Sequence, residues 1–144
     1  MQLIKADNIE LLNFCLNIRK KVFQIEKGVP KDVELDEYDC LNNKVAHYLI
    51  EDSGVYIGAI RMNNLDNKTI KIQRFCFLKE YRGLGFGKKV VLKMIENYSK
   101  LGFEYIEVGA KFEVKEFYKT CGFDYISEPF SEANIKHIEM KRKI

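Results

Sequence analysis

Several of the signatures that announce a function are missing from this chain of 144 residues. It has only two histidines, His47 and His137, so a metal site has little support. Its four cysteines, Cys15, Cys40, Cys76 and Cys121, are widely spaced and form no Cys-x-x-Cys pair, which favours reduced thiols over zinc or disulfides. Met1 to Lys5 lack the apolar run of a secretion signal, and no stretch approaches the roughly 20 apolar residues of a membrane span. A cytoplasmic location without membrane association is therefore expected. The net charge is only +3, and Lys and Arg are dispersed except for Lys141-Arg142-Lys143. No nucleic-acid partner is required by that pattern, and the tail reads as a solvated basic end. Low-complexity tracts, linkers and repeats are also absent. A single domain over 1–144 is expected. At 47% hydrophobic and 31% charged residues, it is apolar enough to bury its own core.

What is present is an ordered run of elements. Gln2 to Lys5 reads as a strand, and Asp7 with Glu10 reads as the N-cap signature of a helix over Asn8 to Phe23. Gly28-Val29-Pro30 interrupts the chain, and the acidic stretch Asp32 to Asp39 reads as a loop or short irregular piece. Val45–Glu51 and Val55–Asn63 flank Asp52-Ser53-Gly54 as a hairpin, and a third strand ends near Leu78. Val90, Val91, Met94, Ile95 and Tyr98 recur at helical spacing over Lys88 to Leu101, and Gly102 stops that helix. A strand over Glu104–Ala110, a short helix over Val114–Cys121 and a final pair of strands, Phe123–Ser127 and Ile135–Lys141, complete the chain, with a loop at Glu128–Asn134. This order predicts a mixed α/β sandwich rather than a doubly wound sheet.

Between the third strand and its following helix lies Arg82-Gly83-Leu84-Gly85-Phe86-Gly87-Lys88. Backbone N–H groups at a helix start lack intrahelical partners and carry partial positive charge, so a turn stripped of side chains can close around a phosphate. The spacing excludes two familiar phosphate loops. A Walker loop needs four residues between its outer glycine and Gly-Lys, followed by Ser or Thr, whereas three separate Gly83 from Gly87-Lys88, and Lys89 follows. A dinucleotide fingerprint needs its third glycine one residue later. A ligand-free glycine turn stays open on the loop alone.

Arg82-x-x-Gly85-x-Gly87 resembles the pyrophosphate loop of the GNAT superfamily of acyl-CoA-dependent N-acyltransferases, and Phe117-Tyr118-x-x-x-Gly122-Phe123 resembles the family's second signature. The resemblance extends over essentially the whole chain. It implies a central mixed, mostly antiparallel, twisted sheet of about seven strands flanked by helices, with strands 4 and 5 splayed apart. It also implies acetyl-CoA as co-substrate, its pantetheine arm in that gap against the backbone of Phe75, Cys76 and Phe77, and its pyrophosphate on Arg82, Gly83, Leu84, Gly85, Phe86, Gly87 and Lys88. Arg19-x-x-Val22-Phe23-x-x-Glu26-x-Gly28-Val29-Pro30, Glu34-x-Asp36-x-x-Asp39, His47 and the ending Phe130-x-x-x-Asn134-Ile135-x-His137-x-x-Met140 resemble the ElaA-like and YjcF-like branch. That branch commonly carries His-Ala-Gln where this chain has Gly109-Ala110-Lys111, so no histidine or glutamine can act there.

The activity so implied is transfer of an acetyl group to a primary amine on a small molecule or peptide, by a monomer or homodimer. Such a transfer needs a neutral amine, a stabilised oxyanion and a proton for the departing thiolate. Family position makes Tyr118 the candidate acid, against a plain packing role, and a strand N–H such as that of Phe77 the candidate oxyanion donor. The resemblance also makes Glu107 the first candidate base, since it stands on the fifth strand where a glutamate in some relatives deprotonates the amine, and strand parity puts it opposite Ile106 and Val108; Glu26 and His47 are rivals, equally suited to structural hydrogen bonds. Arg19 with Glu34, Asp36 and Asp39 reads as an ion-paired brace between the first helix and the acidic loop rather than a catalytic group, with attraction of a cationic amine by the acidic residues as the alternative. Two other readings stay open: a non-catalytic acyl-CoA-binding sensor, and an enzyme resembling acyl-homoserine lactone synthases, which this short chain and its clear glycine loop disfavour.

Overall fold

The computed structural model describes residues 1–144. In chain order it contains β1 (Gln2–Lys5), α1 (Ile9–Arg19), a π-helical continuation (Lys20–Glu26), α2 (Lys31–Glu34), β2 (Val45–Asp52), β3 (Val55–Asn64) and β4 (Thr69–Phe77). A 3₁₀ turn (Lys79–Tyr81), α3 (Phe86–Lys100), β5 (Tyr105–Lys111), a second 3₁₀ turn (Phe112–Val114), α4 (Lys115–Thr120), β6 (Asp124–Tyr125), β7 (Phe130–Glu132) and β8 (Ile135–Lys143) follow. The strands form one eight-stranded sheet in the order β1-β2-β3-β4-β5-β8-β6, with β7 also on β8, and β4 and β5 run parallel. This is the expected mixed α/β architecture with one strand more. β7 lies in the stretch read as a loop, where Ala133 and Asn134 at φ 51° and 62° turn it back onto β8, so its form comes from pairing rather than from its own three residues. No helix is long and apolar enough to cross a membrane.

The chain groups into two compact units, Met1–Asn63 with Arg74–Phe86, and Asn64–Gln73 with Gly87–Ile144. In the first, α1 is capped by Asn8 rather than Asp7: its side chain accepts from the Leu11 N–H at 2.9 Å. The helix does not run to Phe23 as an α-helix. It widens after Arg19 into π geometry, closed by the Lys27 N–H on the Val22 carbonyl at 3.1 Å. Ala6, Leu12, Cys15, Ile18, Val22, Leu49, Ala59 and Cys76 make the core of this unit.

Beside that core is a buried set of charges. Arg19 and Arg61 are each 1% exposed. Arg19 donates to Glu34 and to Asp39 (Nη1 to Oδ1, 2.6 Å), as the brace reading expects. Asp36 instead meets Arg61, which grips it with two hydrogen bonds of 2.8 and 2.9 Å and reaches Asp39 at 3.0 Å. Arg74 donates to the Glu34 carbonyl at 3.1 Å and lies 3.3 Å from its carboxylate. Three guanidinium groups thus balance three carboxylates, as burial of full charges demands. Arg74 sits at φ 50° inside β4, a left-handed conformation disfavoured for a residue with a Cβ and held here by these contacts.

In the second unit β5 alternates cleanly. Ile106, Val108 and Ala110 are buried together with Ile70 and Ile72 of β4, Ile138 and Met140 of β8, and Val90, Val91, Met94, Ile95 and Tyr98 of α3. Glu107 and Gly109 take the other face, where the register sets Lys71 and Lys141 beside Glu107, and Glu139 beside Gly109. The β4–β5 ladder runs from Thr69↔Tyr105 to Ile72↔Val108, while the strands themselves continue to Phe77 and Lys111.

The buried charges set an acid limit on stability. Burial alone would raise the Asp39 carboxyl, but the hydrogen bonds and charge of Arg19, the Asp36 N–H and then the charge of Arg61 bring it from 3.8 down to about 2. Burial moves His47 the same way, below its ordinary 6.5, against its hydrogen bond with the Tyr38 carbonyl. Both groups have folded-state values below their unfolded ones, so both stabilise the fold at neutral pH and cease to do so as pH falls. The Asp39 share, about 2 kcal/mol, is fully present above about pH 5 and is lost progressively as pH falls through about 2, gone near pH 1. Melting temperature should therefore drop as the solution is acidified through this window. Carboxyl-carbon NMR should find Asp39 titrating well below the ordinary aspartate range, and an ordinary midpoint would refute this account.

Candidate active site

The glycine loop is shaped by backbone conformation. Gly83 and Gly85 adopt φ 73° and 86°, where side chains are strained, and nothing lies within 4 Å of the position a Cβ would take at either. The space before the loop is therefore open. Leu84 projects into solvent at 63% exposure, Phe86 opens α3, and Gly87 and Lys88 lie in its first turn, where N–H groups have no intrahelical acceptor. On β3, Gly58 lets the backbone of β4 pass close by, since a Cβ there would fall 2.5 Å from the Cys76 carbonyl oxygen. Phe75, Cys76 and Phe77 form the end of β4, with the Phe77 ring against Phe75 (5.4 Å between centroids) and Phe86 (6.3 Å).

Arg82 turns back from the loop. Its guanidinium donates twice to the Phe77 carbonyl, at 3.0 and 2.8 Å, and grips both oxygens of Glu26 at 2.5 and 2.7 Å. The hydrogen bond from Arg82 holds the Glu26 carboxyl below the ordinary glutamate range. The π-helical segment, the end of β4 and the loop are joined at this one side chain. His47, 2% exposed on β2 and paired in register with Arg61, keeps its Nε2 3.0 Å from the Tyr38 carbonyl oxygen beside the buried charges.

In the second unit Tyr118 lies on α4 at 7% exposure, its ring edge-on to Phe117 (5.0 Å) and Phe123 (5.5 Å). Its carbonyl accepts from the N–H groups of Cys121 and Phe123, both at 3.0 Å, and Gly122 at φ 87° makes the turn. Burial, followed by the proximity of Cys121, raises the phenol above its ordinary value. Glu107 has the Lys141 ammonium at 3.8 Å. His137 lies on β8 with Nδ1 2.7 Å from the Ile135 carbonyl oxygen and its ring stacked on Phe130. The structure thus joins Glu26 to Arg82 and Phe77, and sets Glu107 and Tyr118 on elements of the other unit. No three His, Cys, Asp or Glu side chains are grouped to hold a metal ion. Sequence reasoning did not reach Arg61, Arg74 or Glu139, whose roles depend on strand pairing.

Residues 25–144 match the family model for the acetyltransferase (GNAT) domain. YjcF of Bacillus subtilis, described as an uncharacterised N-acetyltransferase, is 30% identical over 143 residues, covering 99% of each chain. The crystal structure of Escherichia coli ElaA superposes with a TM-score of 0.86 at 22% identity, covering 99% of each chain. That of a Vibrio cholerae spermidine N-acetyltransferase in complex with CoA and spermine gives 0.74 at 17% identity, over 99% of this chain and 94% of its own. This chain belongs to the GNAT acetyltransferase family, on its ElaA/YjcF side, and is an acyltransferase.

The four thiols are all free. Burial pushes Cys15 and Cys76 up to about 12 and raises Cys121, whereas Cys40 is exposed. A thiol in that state is a poor nucleophile, so Cys76 on β4 is structural. A disulfide reagent at mildly alkaline pH should titrate Cys40 alone in the native protein and all four thiols in denaturant. Rapid native labelling of Cys76 would contradict its burial.

Proposed function

We propose that this protein transfers the acetyl group of acetyl-CoA directly to a primary amine of a small-molecule or peptide acceptor. The observation that carries the reading is the loop from Arg82 to Lys88. Its left-handed glycines leave open space before bare amides at the start of a long helix, an arrangement suited to a pyrophosphate. Phe75 to Phe77 on β4 would offer backbone to the pantetheine arm, and the Phe77 N–H would polarise the thioester carbonyl. The spermidine N-acetyltransferase solved with CoA and spermine shares the fold, which supports the same class of donor and a cationic amine as acceptor.

The chemistry then follows from charge and proton flow. The neutral amine nitrogen attacks the thioester carbon, the tetrahedral intermediate collapses, and the carbon–sulfur bond breaks. Tyr118, kept protonated by burial, gives its proton to the departing thiolate. Glu107 takes the surplus proton of the amine, directly or through water. Glu26 is less suited to that task, because Arg82 stabilises its ionised form and makes it a weaker base.

Two experiments test this reading. Gly85→Val places a branched side chain at φ 86°, before the amides, so calorimetry should show CoA binding abolished in a variant that circular dichroism shows to be folded. Retained affinity would exclude the loop. With acetyl-CoA, an amine panel and detection of free thiol, Tyr118→Phe should lower turnover by about 10² to 10⁴ and Glu107→Gln by about 10², each with little change in the KM for acetyl-CoA. Equal turnover in Tyr118→Phe would leave the ring a packing role only. A wild-type protein that binds acetyl-CoA yet releases no thiol with any amine would point to the sensor reading instead.

A further inference from the structure

We infer that Glu139 of β8 binds the ammonium group of the acceptor, an inference that rests on the acetyltransferase reading above. Glu139 stands directly across from Gly109 of β5 in the antiparallel ladder. Gly109 is the first β5 residue beyond the last pair with β4, Ile72↔Val108. Its backbone is not left-handed, so a glycine is not needed there for conformation. A Cβ there would lie 3.2 Å from Glu139 Oε1, so the carboxylate would have to shift to admit one. The missing side chain on one strand is thus filled by a carboxylate from the next.

That carboxylate is under-used. An ionised carboxylate offers about four lone-pair sites. Lys71 Nζ reaches Oε1 at 3.2 Å, while Oε2 is shut off from solvent with no hydrogen-bond partner. An orphaned charged oxygen costs more than the roughly 1–3 kcal/mol of a neutral group, so this pose is a poor resting place for it. The side chain as a whole remains 25% exposed. Rotation about the bond to its carboxyl group is soft and brings the second oxygen round to a cation without moving the backbone. Around it are Lys71, Glu107 and Lys141, with Lys141 leaning 3.8 Å from Glu107 and 4.3 Å from the centre of the Tyr105 ring. Lys71 is therefore the competitor for Glu139, and an acceptor bearing a primary ammonium, such as a diamine or polyamine, is the ligand whose chemistry fits.

The test uses 1,4-diaminobutane and spermidine as probes. In protein saturated with CoA, either amine should shift the carboxyl-carbon resonance of Glu139, assigned by its loss in Glu139→Gln. In steady-state assays Glu139→Gln should raise the KM for the amine about tenfold while the KM for acetyl-CoA and the melting temperature stay unchanged. Gly109→Ala, which crowds the carboxylate without removing it, should act in the same direction, and Lys71→Met should lower the amine KM by freeing Oε1. A merely structural Lys71–Glu139 brace predicts the reverse pattern, with lower melting temperature in both variants and unchanged amine KM. That pattern, or an unmoved resonance in protein that binds CoA, overturns the inference alone. Failure of the wild type to bind CoA would remove the acetyltransferase reading and this inference with it.

Discussion

The buried charges of Arg19, Arg61 and Arg74 with Glu34, Asp36 and Asp39 are the constraint from which much of the first unit follows. A guanidinium at 1% exposure is tolerable only if carboxylates meet it with good geometry, and here that requirement recruits Glu34 at the end of α2 and Asp36 and Asp39 in the stretch after it. The stretch has no regular structure to hold it. It is held because Asp36 and Asp39 have fixed partners on α1, β3 and β4. Arg74 completes the set while adopting φ 50° within β4, two residues past the point where its ladder with β5 stops at Ile72. The buried charges thereby meet β4 close to the strand end that the proposed chemistry uses.

Arg82 shows the same economy of charge. The arginine that heads the loop signature would be expected on electrostatic grounds to face phosphate, yet four of its N–H donors are directed at Glu26 and the Phe77 carbonyl. In the proposed function, anion recognition would fall to peptide N–H groups at the opening of α3, whose directions are fixed by the helix itself. The side chain instead ties the loop to its supports. In this chain the loop therefore sets two features in adjacent residues: attachment at Arg82, and backbone without side chains at Gly83, Gly85 and Gly87.

How much of this could be read from the chain depended on how local its cause was. The glycine loop, the apolar stripe of α3 and the hairpin at Asp52-Ser53-Gly54 were legible because periodicity and turn chemistry act within a few residues. The π-helical widening after Arg19 was not, since Lys20 to Glu26 carry an ordinary helical pattern and the change in winding serves packing. β7 escaped notice because three residues cannot declare a strand without β8 beside them. Arg61 and Arg74 look like unremarkable strand residues until the acidic stretch is folded over them. Glu139 becomes a candidate only when the ladder sets it against Gly109, a contact between residues thirty positions apart in sequence.

The two units are interleaved along the chain, with exchanges at Asn63/Asn64, Gln73/Arg74 and Phe86/Gly87. This has a consequence for the nascent polypeptide. When β3 has emerged from a ribosome, Arg19 and Arg61 already have their acidic partners, but Arg74 does not yet exist, so Glu34 and Asp36 await part of their neutralisation. The chain must then pass through the opening strand segment of the second unit before Arg74 arrives. Neither unit is a contiguous piece that could fold to completion and be set aside. Closure of the first is coupled to synthesis of part of the second, and this order of events favours late, cooperative consolidation over stepwise docking of finished halves.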